Sequence, residues 1–469
     1  MRISLNKIFV LLLSSIFLFS CENAIEGVYE DEDSLGIKQL TYREVQVANL
    51  SELNAAVKVV SPGDVIIMKN GTWNNVDIVL NGEGTEGFPV TLKAETPGEV
   101  IISGRSSLKM TGNYLVVDGL HFKDGYSSKA THLIEMRSSN SRITNCAIKG
   151  FNKPEGTDVW ISMFGFYNRV DHCYFQDKKS ESVLIIIWRP QPDANYHRID
   201  HNYFKDIPSI GLGGATAIRI GDGTHALDFS NTTVENNLFE NMLGIGKIIN
   251  IKSGGNTIRN NTFIKASGSI CIRQGDNCII EGNYIFPGLQ NNYTGGILVI
   301  GANHIIRNNY IESTRAAGKA AIVLYEGQSN NAPGVGGYYP TKNVLIEGNT
   351  LVDNDKNILI GQYFEPGTDM VVPVENITYR NNAILGNNST IPVIDIIDPP
   401  IGNIVYEGNY FFKGNLAGLE NIPGINIADP QLYYGEGCFF HYTNTSPLKG
   451  NIIAPPITRD QVGTSWKSR

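Results

Sequence analysis

Ile258-Arg259-Asn260-Asn261-Thr262-Phe263 is followed 22 residues later by Ile280-Glu281-Gly282-Asn283-Tyr284-Ile285, and 26 residues after that by Ile306-Arg307-Asn308-Asn309-Tyr310-Ile311. The shared phrase is an apolar residue, two free positions, a small polar anchor, one free position, and an aromatic or aliphatic residue. Followed outward, it recurs with anchors Cys146, Cys173, Asn202, Asn237, Asn261, Asn283, Asn309, Asn349, Asn382 and Asn409, spaced by 22 to 40 residues. A fixed phrase with elastic spacing signifies stacked units whose loops vary. Each unit holds short runs rich in Ile, Val and Tyr between Gly, Asn and Asp turns, the pattern of strands and bends. A minimal unit of 22 residues accommodates three short strands and three bends. The expected fold is therefore all-β, a right-handed parallel β-helix. An inward asparagine at a bend would bond the coils above and below. A β-propeller would repeat at ~40–50 residues, which the shorter spacings disfavour.

Open solenoid ends must be covered. Leu50, Leu53, Ala56, Val57 and Val60 recur at helical spacing, so residues 49–60 are expected to form an N-terminal cap helix. The β-helix is expected over residues 40–412, with 413–469 packed over the other end. Residues 1–20 read as a signal peptide: Arg2 and Lys7 precede the apolar run Ile8 to Phe19, too short to span a bilayer. Leu18-Phe19-Ser20-Cys21 resembles a bacterial lipoprotein cleavage box, with Cys21 as the lipidated residue. The acidic stretch 21–39 reads as a tether. The expectation is an exported lipoprotein, outer membrane-anchored, facing periplasm or cell surface.

The formal net charge of −8 supplies no global field for nucleic acid. An anionic ligand would need local cations. Cys146 and Cys173 hold consecutive anchor positions, favouring stacked buried thiols over a disulfide. His197 and His201 would lie roughly 13 Å apart in a strand, which argues against a zinc site.

A second phrase aligns Ile218-Arg219-Ile220-Gly221, Ile249-Asn250-Ile251-Lys252, Ile270-Cys271-Ile272-Arg273, Ile297-Leu298-Val299-Ile300 and Ile322-Val323-Leu324-Tyr325. Strand alternation turns the first and third members inward. Arg219, Asn250 and Cys271 should share one external row, and Lys252, Arg273, Ile300 and Tyr325 the next. Like charges on adjacent strands are unfavourable unless something anionic joins them. Lys252 and Arg273 therefore point to an anionic ligand. Asp222 reads as a turn residue, since a hydrolase would need paired carboxylates and this row has none.

These segments, with Ser103-Gly104-Arg105, Leu115 to Leu120, His197 to Phe204, Lys252-Ser253, Arg273 and Thr458 to Gly463, resemble polysaccharide lyase family 6, the alginate lyase and chondroitinase B group. The likeness covers nearly the whole mature chain. It implies β-elimination on a uronate polymer: neutralise the C6 carboxylate, remove the C5 proton, expel the 4-O group. Lys252 would be the base, and Arg273 would protonate or stabilise the leaving oxygen. An ordinary lysine near ~10.4 is a poor base at neutral pH, and neighbouring charge with desolvation would lower it.

The chain also departs from the family. Many members place two calcium-binding glutamates seven and five residues before the lysine, where Ile245 and Lys247 stand here. Lys247 is expected to replace the metal, with no cofactor needed. Gln274 stands where a histidine often follows the arginine, and Leu298 where an arginine is often found. Arg219, Asn250 and Gln274 are candidate substrate contacts. Tyr325 and Tyr338 are candidates for stacking on sugars or for packing. The expected substrate is alginate, preferably mannuronate-rich. The rivals are a dermatan sulfate lyase and a non-catalytic glycan-binding surface protein.

Overall fold

The computed structural model describes residues 42–208, 216–243, 246–286, 295–315, 319–329, 336–362, 369–387, 390–451 and 455–466. The leader, the tether, Cys21 and Ile245 lie outside the described residues.

The chain winds as a parallel β-helix with three sheet faces. Face A is a sheet of 14 strands, and a second sheet of 25 strands wraps faces B and C. The strand Val100–Asn113 joins those two faces, pairing with Gly71–Asn74 on B and with Asp77–Glu83 on C.

The repeated phrase spans the bend from face A to face B. Asn260, Gly282 and Asn308, one residue before their anchors, adopt positive φ of 53°, 63° and 53°. Asparagine tolerates that left-handed region and glycine enters it freely, which explains the residues found there. A Cβ on Gly282 would lie 2.4 Å from Asn260 Oδ1.

The turn aims each anchor inward. Asn237 N–H donates to Asn261 Oδ1 at 3.0 Å, Asn261 N–H to Asn283 Oδ1 at 3.1 Å, and Asn283 N–H to Asn309 Oδ1 at 3.0 Å. The ladder runs from Asn202 to Asn409. It satisfies buried backbone groups that the turns leave unpaired. Cys146 and Cys173 begin the stack as free buried thiols. Burial pushes the Cys146 thiol up to about 12. Beside the ladder, Phe175, Phe204, Phe239 and Phe263 stack with centroids 4.6–4.9 Å apart. His197 is buried and accepts Asn168 N–H at 3.0 Å, whereas His201 stacks on His172.

The N-terminal helix occupies Leu50–Val57, ending three residues earlier than expected, with Ser61-Pro62 following close behind. Asn49 accepts Glu52 N–H at 3.0 Å, and Glu52 Oε2 accepts Ala48 N–H at 2.7 Å, so the start is held from both sides. At the far end Leu416, Leu419, Ile422 and Ile425 pack onto the last coil. The tail differs from expectation beyond that point: it returns along the outside of face B. Phe439 packs on Tyr284 and Tyr310, and Arg459 pairs with Glu240. Trp466 Nε1 donates to Asn145 O at 2.9 Å. Outward-facing Tyr174, Tyr203, Tyr284 and Tyr310 of face B are buried beneath the tail.

Candidate functional site

Three neighbouring strands of face C carry the site: Ile218–Ile220, Gly246–Lys252 and Gly268–Gln274. Alternation buries Ile218, Ile220, Ile249, Ile251, Ile270 and Ile272 in the core. Arg219, Asn250 and Cys271 pair in register as the expected external row.

The next row differs from expectation. A register shift after Ile251 sets Lys252 opposite Gln274, leaving Arg273 as the extra residue. A bulge of this kind re-aims side chains without breaking the sheet. Gln274 is fully buried, and a Cβ on Gly223 would lie 2.7 Å from its Oε1. It supports the site floor from beneath the surface expected to expose it. Ile300 is likewise covered, joining Cys271, Leu298, Val323, Tyr325 and Tyr338 in a second apolar cluster. Tyr325 and Tyr338 are only 6% and 7% exposed, so the packing alternative describes them better than sugar stacking. The Tyr338 hydroxyl accepts from Arg273 Nη2 at 2.7 Å, and its ring centroid lies 5.0 Å from that guanidinium carbon.

Lys252 is half-buried and donates to the Asp222 carbonyl at 3.2 Å. Gly221 holds φ 82°, and a Cβ there would come 2.9 Å from the Lys252 carbonyl oxygen, so glycine is what the close approach requires. Asp222 Oδ1 accepts Thr224 N–H at 2.9 Å, the turn role expected of it. Burial, then the charges of Arg273, Arg219 and Lys247, push the Lys252 ammonium down to about 8, against the pull of Asp222. Lys247 lies on the same strand, paired with Ser269, close enough to add to that field.

The donors gathered here do not suit a hard dication, which needs several oxygen ligands. Lys247, Lys252, Arg219 and Arg273 are cations. Among the described residues, no group of three or more His, Cys, Asp or Glu could hold a metal.

Sequence reasoning missed three neighbours. Trp188 carries the Arg219 guanidinium 5.7 Å from its ring centroid. Arg189 is buried and donates to the carbonyls of His225, Asp228, Pro192 and Phe229 at 2.7–3.0 Å, fixing the loop beside Asp222. Burial lowers the Lys319 ammonium, and the Lys247 charge adds to that effect. Extending the second phrase one coil back, to Ile185-Ile186-Ile187-Trp188, would have found the tryptophan.

The sequence model described as Chondroitinase B matches residues 47–389. The fold is similar to the PL6 family alginate lyase AlyGC, with a TM-score of 0.83 and 32% identity over 91% of this chain and 59% of that one. This chain thus spans about three fifths of that relative's length. It is also similar to a mannuronic acid specific polysaccharide family 6 lyase from human gut microbiota, with a TM-score of 0.75 and 26% identity over 91% of this chain and 97% of that one. The PL6 family polysaccharide lyase Pedsa3628 from Pseudopedobacter saltans gives a TM-score of 0.74 and 26% identity over 90% and 100% of the two chains. A search of curated proteins finds no significant match. Fold and relatives define the class, parallel β-helix proteins whose solved members include polysaccharide lyases. Within it, the chain belongs to the chondroitinase B family.

Proposed function

We propose that the protein cleaves alginate, with preference for mannuronate-rich stretches, by β-elimination. The observation that carries this reading is the Lys252 ammonium, held near 8 by burial and by cations on its own and neighbouring strands. At mildly basic pH a usable fraction is the neutral amine, a competent base. The amine takes the C5 proton, the released electron pair forms the C4–C5 double bond, and the C4–O4 bond breaks. Arg273 donates a hydrogen bond to the departing alkoxide, which takes a proton from water, and Lys252 returns the C5 proton to solvent. Lys247 and Arg219 offset the charge that builds on the C6 carboxylate. The mannuronate preference is supported by the specificity named for the gut relative.

Because Lys247 occupies a position where a carboxylate would bind calcium, the reaction is calcium-independent in this reading. Activity should survive excess chelator. Loss of turnover in chelator, restored by added calcium, would refute the Lys247 role. Poly-mannuronate, poly-guluronate and dermatan sulfate should be assayed for the near-ultraviolet absorbance of a 4,5-unsaturated uronate. Poly-mannuronate should react best. A faster rate on dermatan sulfate would favour the rival lyase, and no product from any would leave a non-catalytic glycan-binding protein.

The protein works in this reading from a lipid anchor on Cys21, placed at the outer membrane. Fatty-acid labelling of the full chain should be lost in Cys21→Ala, and retained label would overturn the assignment.

A further inference from the structure

The two directions away from Lys252 along face C differ. Toward the C-terminal coils the outward positions Leu298, Ile300, Val323 and Leu359 are at most 6% exposed. They lie in the second apolar cluster with Met370 and Tyr338. Met370 belongs to a short antiparallel pair, Gly327–Gln328 with Met370–Val372. Among the described residues, those sheet positions are covered, so a saccharide could touch them only by dismantling a packed cluster.

Toward the N-terminal coils the surface changes character. Arg137, Phe164, Trp188, Gly221 and Lys252 each follow residues paired in register, so they form one external row. The Phe164 and Trp188 rings lie 6.0 Å apart with planes 9° apart. The Arg137 and Arg219 guanidinium carbons sit 4.0 Å and 5.7 Å from those ring centroids. Among the described residues, no carboxylate lies within ion-pair distance of Arg219. Three buried polar atoms here have no hydrogen-bond partner: Trp188 Nε1, Arg219 Nε and Asn250 Oδ1. Such orphans are uncommon in folded proteins and call for an explanation. A guanidinium stacked on a ring is a preorganised receptor for a carboxylate.

On the N-terminal coils, at the bend that leads into face C, Arg105, Lys129 and Lys153 line a cavity of about 570 Å³, with Tyr126 and Glu155. The three cations outnumber Glu155 and Asp77, the latter paired with Lys129 at 2.8 Å. Three to five rungs at ~4.8 Å, roughly 14–24 Å along the axis, separate these cations from Lys252.

We propose that a polyuronate lies along face C from Lys252 toward the N-terminal coils only, with Arg219 on Trp188 receiving one carboxylate and the Arg105–Lys129–Lys153 cavity receiving another at the far end. This rests on the lyase reading for the reacting end, but the binding track can be tested without turnover. In a Lys252→Ala background, dissociation constants would be measured for a long poly-mannuronate and for its trisaccharide. Adding Arg105→Ala and Lys153→Ala should raise the ratio of long-chain to trisaccharide constants about fivefold or more, the scale of losing exposed charge contacts. Lys149→Ala, which removes a charge from face B, should leave that ratio alone. An unchanged ratio, or an equal change from Lys149→Ala, would overturn the track. A shifted ratio in a protein whose wild type makes no unsaturated product would sink the lyase reading alone.

Discussion

Lys252 stands across the rung from Gln274, and Arg273 is the extra residue that the register shift leaves between them. The bulge lets two cations on adjacent coils keep separate directions, Lys252 toward the Asp222 carbonyl and Arg273 toward the Tyr338 hydroxyl. If one amine removes the proton, Lys252→Ala should lower kcat by about 10²–10⁴-fold, the usual worth of positioned proton transfer. Circular dichroism should show an intact fold, since the ammonium lies on the outer surface. Retained kcat would exclude Lys252 as the base.

The pH profile should reflect the same residue. The reactive form is the neutral amine, so kcat/KM should rise with pH and level off above about 8. Removing a neighbouring positive charge makes the ammonium easier to keep, which raises its pKa. Lys247→Ala should therefore move the rising limb to higher pH. An unmoved limb, or one displaced downward, would show that Lys247 does not act on Lys252.

The asparagine ladder should be costly to interrupt. Asn283 donates to Ile258 O and Asn309 Oδ1, and its own Oδ1 accepts Asn261 N–H. Asn283→Ala would orphan buried groups at roughly 1–3 kcal/mol each. Denaturant unfolding should show a loss of that order, against near-neutrality for an exposed control such as Asn277→Gly, where φ is 58°.

Two buried histidines set an acid limit. Burial holds His197 at about 3 and His304 at about 4, both below the ordinary 6.5. The unfolded chain then binds more protons than the native one, so stability rises with pH. Their contribution is complete above about 6.5 and is lost as pH falls through 6.5 toward 3–4. His197→Gln should flatten part of that decline in thermal melts between those limits.

The fold was legible because its determinants are local and repeated. Asn260-Asn261 and Gly282-Asn283 each encode a left-handed turn followed by an inward amide, and the ladder follows from stacking them. The isoleucine alternation around Arg219 and Asn250 placed the first external row correctly. The bulge at Arg273 escaped notice because period-2 reasoning has no place for an added residue. Burial of Gln274, Tyr325 and Tyr338 depends on segments far along the chain, which no short window contains. The course of the tail was hidden for the same reason: its partners, Glu240 and Asn145, lie 219 and 321 residues away.

That returning tail sets a timetable for assembly. Coils made early can wind as they emerge, because each needs only its neighbour. Trp466 and Arg459 cannot reach their seats on early and middle coils until the intervening coils have been made. Residues translated late thus fasten turns formed long before. A stalled or clipped product would keep its spiral but lack the lashing that ties distant turns together.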